Sequence, residues 1–412
     1  MTVPMLRSLL LKRFRSFPSE EVEFDNPTFL VGQNGSGKSN FADAFAFLSE
    51  AMASPLQAVL DRRGGIAAVG TVRKRKTTEG RPASLGLRVE LEGLDEKTSA
   101  ASYAFELHAL DNYGFKVERE QCIVRQRDGS CNWFDRSRGK LQSNARFLEP
   151  SLEASALALP LVGGSARFQA VLRFLAEMQV YRIEPAALRE MQDPDGGVRL
   201  RSDGSNAASV LREIKRKSPD DWERVVELLE SIVPKTVSVQ PKKHGNKLTL
   251  EFTQEWTKSK RVKFEAFHMS DGTLRALGIL AAVFQQPVPS VLVVEEPEST
   301  MHPGALNAIL DVLRHAGRSM QVVVTTHSPD ILDAKWIEDR HLKIVSWEKG
   351  ATRVDPVSEA TRTALRERLM GAGELLRANA LAAAERPVGG QSHVVLFEEI
   401  SREHPTGRGR TR

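Results

Sequence analysis

Cysteine and long apolar runs are both scarce in this sequence. Its 412 residues include only Cys122 and Cys131, too few for a disulfide framework or a cysteine-rich metal site. No apolar run approaches the roughly 20 residues that a membrane-spanning helix needs, and the N-terminus lacks the pattern of a signal peptide. We therefore expect a protein of the reducing cytoplasm that has no membrane partner.

A strong excess of one charge is also missing, since 58 Lys and Arg residues face 53 Asp and Glu residues. The basic residues are nevertheless grouped. Any single group is compatible with a solvated face, whereas several groups on one surface would bind the phosphates of double-stranded DNA. The groups are Arg73–Lys76; Arg212 with Lys215–Lys217; Lys242, Lys243 and Lys247; Lys258, Lys260, Arg261 and Lys263; and the tail Gly407–Arg412.

The most informative segment is Gly32–Ser39, which fits the pattern G-x-x-x-x-G-K-[ST] of phosphate-binding loops in nucleotide hydrolases. Its glycines let the backbone curl so that the N–H groups form a cradle for anions. Lys38 can reach the outer phosphates, where we expect a catalytic role, and the Ser39 hydroxyl can ligate Mg²⁺. The residues predicted here to bind nucleotide are Gly32, Gln33, Asn34, Gly35, Ser36, Gly37, Lys38, Ser39 and Asn40.

The flanking residues support this interpretation over that of an ordinary glycine-rich turn. Thr28–Val31 has the pattern of a short buried strand, and the residues from Lys38 to about Met52 have apolar positions at helical spacing. The N-terminus of a helix attracts phosphate through its dipole and its free N–H groups. The segment therefore predicts the binding of a nucleoside triphosphate.

A second buried strand, Val291–Val294, is followed at once by Glu295 and Glu296. Ligands of α/β sheets bind at the carboxyl ends of the strands. Glu295 is therefore predicted to hold Mg²⁺ through water, and Glu296 to activate the attacking water, with Glu298 as the alternative base. On its own, a pair of glutamates is more often a surface feature.

Two further segments carry polar residues where a ligand would need them. Gln321–Val324 is a predicted strand that leads to His327, which either caps the strand end or donates a hydrogen bond to the γ-phosphate. Ser270, Asp271 and Gly272 precede a predicted helix, as a plain cap or as a phosphate-binding N-terminus. One subunit cannot easily bring this helix onto its own phosphate loop, which suggests a sandwich dimer.

Together these residues resemble an ABC-type ATPase head of the RecF/SMC/OLD branch. Gly32–Ser39 is similar to Walker A, Ser270–Thr273 to the signature motif, Val291–Glu296 to Walker B and His327 to the switch histidine. Leu11–Phe17 resembles the opening segment of this branch, whose arginine at the place of Arg15 touches nucleotide. More narrowly, the phrases Tyr181–Pro185, Asp203–Asn206 and Glu295–Glu298 resemble a group of bacterial AAA-family predicted ATPases of similar length.

The resemblance implies an ATP-dependent homodimer. ATP on the Walker A motif of one subunit would be enclosed by Ser270 and Gly272 of the other, with Mg²⁺ held by Ser39, Glu295 and a glutamine, for which Gln179 is the candidate. Transporter ATPases differ, because about 230 residues separate Walker A from the signature here, which reads SDGT. There is no Cys-x-x-Cys hook, and the 85 residues after His327 are too few for the TOPRIM nuclease of OLD proteins.

The expected fold is α/β, a P-loop NTPase of the ABC head type with an antiparallel β portion and a helical insertion. The predicted domains are a nucleotide-binding lobe over 1–144, a helical insertion over 145–217, the second part of the ATPase core over 218–350, and a C-terminal helix with a basic tail over 351–412.

Three functions follow from these predictions, all of them based on ATP hydrolysis. The favoured one is a RecF-like ATPase that acts on DNA in repair or genome maintenance. The second is an ATPase switch of an anti-phage or toxin module that controls a separately encoded effector protein. The third, the motor of a transporter, is disfavoured by the motif variants and the insertion.

Overall fold

A computed structural model of the chain describes residues 3–71, 84–111, 114–145, 152–257, 260–386 and 395–400. The strands form three sheets, of seven, six and three strands. The basic groups at Arg73–Lys76 and Gly407–Arg412, together with Lys258, lie outside the described residues. In the part of the chain that is described, no helix has the length and apolar character needed to cross a bilayer.

The largest sheet is antiparallel, in the order β2-β1-β4-β5-β6-β7-β8. Its strands alternate buried apolar residues with residues of the opposite face, as Leu85, Leu87 and Val89 of β4 do. The antiparallel β portion expected from the sequence is therefore confirmed. The strands are β1 (Met5–Phe14), β2 (Phe17–Glu23), β4 (Ser84–Glu92), β5 (Thr98–Ala109), β6 (Phe115–Gln126), β7 (Cys131–Ser137) and β8 (Lys140–Ser143).

The six-stranded sheet carries the motifs, in the order β16-β15-β3-β14-β13-β9. Every pair in it is parallel except β15 with β16. Helices cover both faces, which explains why β14 is buried at every position and β13 at every position but its last, Glu295. The strands are β3 (Thr28–Val31), β9 (Gln179–Tyr181), β13 (Val291–Glu295), β14 (Gln321–Thr326), β15 (Leu342–Glu348) and β16 (Ala351–Pro356).

Alternate residues of these strands face two separate cores. Leu30 and Val293 pack with α1 (Lys38–Ala53) and with the antiparallel sheet, so α1 lies between the two large sheets. Phe29 and Val294 belong to a second core, which also includes the third sheet, made of β10 (Thr236–His244), β11 (Lys247–Thr257) and β12 (Lys260–Glu265). The helices of this second core are α7 (Ala207–Lys217), α8 (Pro219–Ile232), α9 (Asp271–Phe284) and α10 (Pro303–Ala316).

The remaining helices are short. They are α2 (Leu56–Asp61), α3 (Ile66–Val69), α4 (Leu159–Val162), α5 (Gln169–Ala176), α6 (Pro185–Arg189), α11 (Pro329–Leu332), α12 (Glu359–Arg366) and α13 (Ala372–Arg377). The sequence predicts one helix near 360–384, whereas the structure has two. Arg368 adopts a left-handed φ of 56°, which ends the first helix, and the backbone N–H of Gly371 bonds Glu374 at the start of the second.

The region predicted as a helical insertion, 145–217, contains α4 to α7 and also contributes β9 to the edge of the six-stranded sheet. Three residues are too short for a periodic pattern, which explains why the strand is not apparent in the sequence. The division of the chain into four domains stays a prediction. The α/β fold class with an antiparallel β portion is confirmed.

We expect Phe41→Ala to destabilise the protein strongly. Phe41 of α1 is 0 % exposed, and its ring lies 5.6 Å from that of Phe17 and 5.9 Å from that of Phe45. Truncation leaves a cavity between the two large sheets, with a loss of about 3–5 kcal/mol in the free energy of unfolding. Urea unfolding measures this loss. Phe267→Ala, at a side chain that is 73 % exposed, is the matched control and should change stability little.

Candidate nucleotide-binding site

The phosphate loop, Gly32–Ser39, connects the buried end of β3 to the first turn of α1. Gly35 and Gly37 have φ of 79° and 108°, values that favour glycine, and a side chain at Gly37 would overlap Thr352. The backbone N–H of Gly32 donates to Thr326 O at 3.2 Å, and the Thr352 hydroxyl donates to Ser36 O at 3.0 Å. Hydrogen bonds with β14 and β16 therefore hold the first residue of the loop and its middle in place.

Lys38 is the cation of this loop. Its ammonium donates to the carbonyl oxygens of Gly32 at 2.7 Å and Gln33 at 2.9 Å, and the residue is only 5 % exposed. Burial lowers the pKa of Lys38, while the charges of Glu296, Glu298 and Glu295 oppose this effect. The lysine thus lies within the field of the three carboxylates that follow β13.

Ser39 and Glu295, the two predicted metal ligands, are brought together. The Ser39 hydroxyl lies close to the Glu295 carboxylate and lowers its pKa. Burial raises the pKa of Glu295, and this outweighs the lowering by Ser39 and by the charge of Arg182. Arg182 directly follows β9, which runs parallel to β13 and pairs Tyr181 with Val294. Sequence reasoning did not assign Arg182 to the site, because only the pairing with β13 places it there.

Glu296 and His327 also lie together, as the ends of β13 and β14 require. His327 Nδ1 is 3.4 Å from Glu296 Oε1 and 3.7 Å from Glu298 Oε1. Glu296 has a left-handed φ of 43°, a conformation that costs a non-glycine residue energy and often occurs at functional sites. Its backbone N–H donates to Thr325 O at 3.0 Å, which fixes the turn. The side chains of Glu296 and His327 remain 38 % and 40 % exposed.

Glu298 is the most buried carboxylate of the group, with a side chain that is 8 % exposed. Its Oε1 accepts from the Thr326 hydroxyl at 2.7 Å and from the His327 N–H at 3.3 Å. Its Oε2 is buried and has no hydrogen-bond partner among the described residues. Burial raises the pKa of Glu298, and these hydrogen bonds only partly offset the effect.

Arg15 and Asn40 lie at the side of α1. The Arg15 guanidinium pairs with Asp43 at 2.8 Å and donates to Ala68 O at 3.1 Å, and Asn40 donates to the Ser16 hydroxyl at 3.0 Å. Asp43 therefore holds the arginine that the resemblance assigns to nucleotide. The contact of Arg15 with nucleotide stays a prediction.

The segment Ser270–Gly272 lies at the N-terminus of α9. The Ser270 hydroxyl accepts from the Thr273 N–H at 3.2 Å, while Arg189 pairs with Asp271. A Cβ at Gly272 would lie 2.8 Å from Thr300 O, so this helix packs tightly against the turn after Glu298. Within the described residues, no hydrogen bond or ion pair joins 270–272 to the phosphate loop.

Gln179, the candidate glutamine, occupies the other end of β9. It pairs with Leu292, three residues before Glu295 in the register. At roughly 3.3 Å per residue, its backbone is about 10 Å from the level of Glu295 along the strand. The glutamine of the predicted metal site is therefore better sought elsewhere in the chain.

The residues present fit a triphosphate and Mg²⁺. The loop offers a glycine cradle, and Ser39 with Glu295 offers the oxygen ligands that Mg²⁺ prefers. No group of three or more His, Cys, Asp or Glu that could hold a metal occurs within the described residues. A cleft of about 810 Å³ opens beside the loop, between Gly32–Ser36 and Val345–Glu348.

Half of the basic residues that the structure describes in these groups are paired with carboxylates. On α7, Arg216 and Lys217 both contact Glu213. In the third sheet, Lys242 and Lys263 both contact Glu251, at 2.7 and 2.8 Å. These acidic partners lie on the same helix or on the adjacent strand, so the charge of these cations is partly neutralised.

Comparison with known proteins identifies a family and a fold. A family model described as "AAA domain, putative AbiEii toxin, Type IV TA system" matches residues 28–333. The structure is similar to an Smc head bound to the C-winged helix domain of ScpA, with a TM-score of 0.55 and 13 % identity, covering 89 % of this chain and 99 % of that one. A second similar structure is the Smc head with an extended coiled coil, bound to the C-terminal domain of ScpA derived from Pyrococcus furiosus. Its TM-score is 0.51 and its identity 12 %, covering 89 % of this chain and 100 % of that one. No curated protein matches this chain.

We expect Glu298→Gln to stabilise the free protein at pH 8 and to have little effect near pH 4. The folded pKa of Glu298 is raised, so its stability contribution is present while the group is protonated and is lost as pH rises through that pKa. The amide cannot ionise, and the gain should be on the order of 1 kcal/mol. Urea unfolding at both pH values measures it. An equal effect at the two pH values would contradict the assignment, and Glu359→Gln, 77 % exposed, is the control.

Proposed function

This chain belongs to the family of AAA domains that its residues 28–333 match, and on that premise we propose that it is a Mg²⁺-dependent ATPase that engages head to head around ATP. Nucleotide binding follows from membership in this family of P-loop ATPases. The observation that carries the proposal of hydrolysis is the group of carboxylates and a histidine within the field of Lys38. The relation of the fold to Smc heads supports the ABC-type arrangement.

The phosphate loop and its neighbours would hold the nucleotide. Gly32–Gly37 would direct backbone N–H groups at the phosphates, and Lys38 would exchange its bonds to Gly32 O and Gln33 O for phosphate oxygens. Ser39 and Glu295 would hold Mg²⁺, whose charge, when the ion is bound, neutralises developing negative charge on phosphate. A cation at Glu295 also offsets the burial that raises the pKa of this carboxylate.

Glu296 is the residue proposed to accept a proton from the attacking water. Its partly exposed carboxylate lies beside His327, and its strained turn holds it at the end of β13. His327 Nδ1 lies near both Glu296 and Glu298, and its ring would donate a hydrogen bond to the outer phosphate. Glu298 holds the backbone of His327 in place through the Thr326 hydroxyl and the His327 N–H.

The dimer is proposed because, among the described residues, no hydrogen bond or ion pair joins the signature residues to the phosphate loop. Ser270–Gly272 caps α9, a helix of 14 residues, and instead packs against the turn that contains Thr300. An N-terminus of this kind binds phosphate through its free N–H groups. In a two-fold dimer each chain would present it to the loop of the other, so both sites would be composite.

Two biological roles remain candidates. The first is a RecF-like role at double-stranded DNA, in repair or genome maintenance, for which the basic groups would supply the contacts. The second is a switch in an anti-phage or toxin module that controls a separately encoded effector. The pairing of Lys242 and Lys263 with Glu251, and the family description, favour the second role.

A mixing experiment tests the composite site. We expect Lys38→Ala and Ser270→Arg each to abolish steady-state ATP turnover, because each homodimer then has two defective sites. In a mixed dimer, the Ser270→Arg chain supplies an intact loop and the Lys38→Ala chain an intact signature. With independent sites, an equal mixture should recover about a quarter of wild-type turnover. No recovery would contradict a site shared between chains.

The matched control for this experiment is a mixture of Lys38→Ala with Glu296→Gln. Both residues belong to the same half of the composite site, so every site in the mixed dimer lacks one of them. Turnover should therefore stay at the level of the two parents. Recovery in this control would place Glu296 in the other half-site.

Turnover with and without linear duplex DNA distinguishes the two roles, with Glu296→Gln as the blank. Under the favoured switch role, we expect turnover to change by less than about twofold when DNA is added, because half of the described basic residues are paired with carboxylates. Stimulation that falls steeply with salt concentration would instead support the role at DNA. In that case Lys243→Glu in β10, which lies outside the paired groups, would be the first variant to measure.

A further inference from the structure

The segment Val395–Ile400 lies on the outer face of the seven-stranded sheet. Its Leu396 is 4 % exposed and is seated at Gly86 of β4, where an added Cβ would come within 2.5 Å of Leu396 Cδ1. The Arg119 guanidinium lies over the ring of Phe397, with its Cζ 4.5 Å from the centroid of that ring. The sequence predicts a C-terminal helix with a basic tail over 351–412. The hexapeptide nevertheless has a defined place on the sheet.

Glu398 is held by groups from three neighbouring strands. Its carboxylate accepts from the Ser102 hydroxyl at 2.7 Å and from Arg88 at 3.1 Å, and it also pairs with Arg125. Burial raises the pKa of Glu398, but the Ser102 hydrogen bond and the charges of Arg125 and Arg88 lower it below its usual value. The carboxylate is therefore ionised and matched in charge at neutral pH.

The backbone of Glu398 is recognised as well. Its N–H donates to Gln121 Oε1 at 2.9 Å, and its carbonyl accepts from Gln121 Nε2 at 3.0 Å. One glutamine side chain thus pairs with both polar groups of one peptide residue. Peptide-binding sites commonly combine backbone hydrogen bonds with pockets for alternate side chains.

The surface under the segment consists largely of outward-facing polar side chains that the segment buries. Leu85 and Leu87 of β4 face the main core, so Gly86 and Arg88 face outward. On the neighbouring strands, Ser102 and Gln121 also face outward, yet they are only 6 % and 3 % exposed. A polar surface that is buried by a short peptide, with its hydrogen bonds satisfied, is typical of an interface rather than of a core.

We propose that this outer face is a peptide-binding site whose ligand is the segment Val395–Ile400, held as a separable peptide, so that one copy of the chain can present the segment to another. Leu396 in the space left by Gly86 gives the apolar anchor. Arg88, Arg125 and Ser102 select a glutamate two positions later. Eight residues, 387–394, separate the segment from Arg386, where the preceding described part of the chain ends.

The test uses the full chain with both anchors of its own segment removed, Leu396→Asp with Glu398→Arg. A fluorescein-labelled peptide of the sequence Val395–Ile400 is titrated with this variant and with the wild type, and fluorescence anisotropy is measured. We expect the variant to bind at least about tenfold more tightly, because a tethered segment competes at an effective concentration in the millimolar range. Equal binding, or no binding by a variant with the wild-type melting temperature, would overturn the proposal.

Two controls locate the site. Gly86→Val, added to the same variant, fills the Leu396 pocket and should remove at least about nine-tenths of the binding without any change in charge. If this substitution impairs folding, Arg125→Glu at a side chain that is 45 % exposed replaces it and should have the same effect through Glu398. Binding that survives both substitutions would place the peptide elsewhere. A peptide in which the glutamate that corresponds to Glu398 is replaced by arginine should not bind.

Discussion

The parallel pairing of β3 with β14, and of β14 with β13, is the constraint on which the rest of the site depends. It places Val31, Thr326 and Glu295 at one edge of the six-stranded sheet. The phosphate loop, the carboxylates and the histidine follow these strand ends directly. Since both faces of the sheet are buried, the strands cannot shift register without exposing one of the two cores. The packing of the strands therefore determines the geometry of the site.

Electrostatic balance at this edge is incomplete in the free chain. Lys38 is buried and has a lowered pKa, while Glu295 and Glu298 are buried and have raised pKa values. The Lys38 ammonium, bonded to two carbonyl oxygens, and the Arg182 guanidinium share this edge with three carboxylates. Bound Mg²⁺ would add positive charge beside Glu295, and phosphates would add negative charge beside Lys38. Ligand binding and the protonation of these groups are therefore linked.

Local patterns predicted most of this site because its parts are contiguous in sequence. The loop, the glutamates after Val294 and His327 after β14 each follow a buried strand, and strand ends of a parallel sheet meet at one edge. Arg182, Asp43 and Thr352 were missed, because they reach the site only through the pairing of β9, the face of α1 and the position of β16. The strand β9 was missed because three residues are too short for a periodic pattern, and the docked segment after residue 394 because only its contacts with the seven-stranded sheet place it.

The sequence by itself determined the fold class, the phosphate loop and the likeness to ABC-type ATPase heads, since these depend on residue types at fixed spacing and on the period of the apolar residues. Only the tertiary structure decided which groups neutralise one another. The pairing of Lys242 with Glu251, of Arg15 with Asp43 and of Glu398 with Arg125 joins residues that are distant in the chain. Such contacts follow from strand register and packing, which a one-dimensional pattern does not specify.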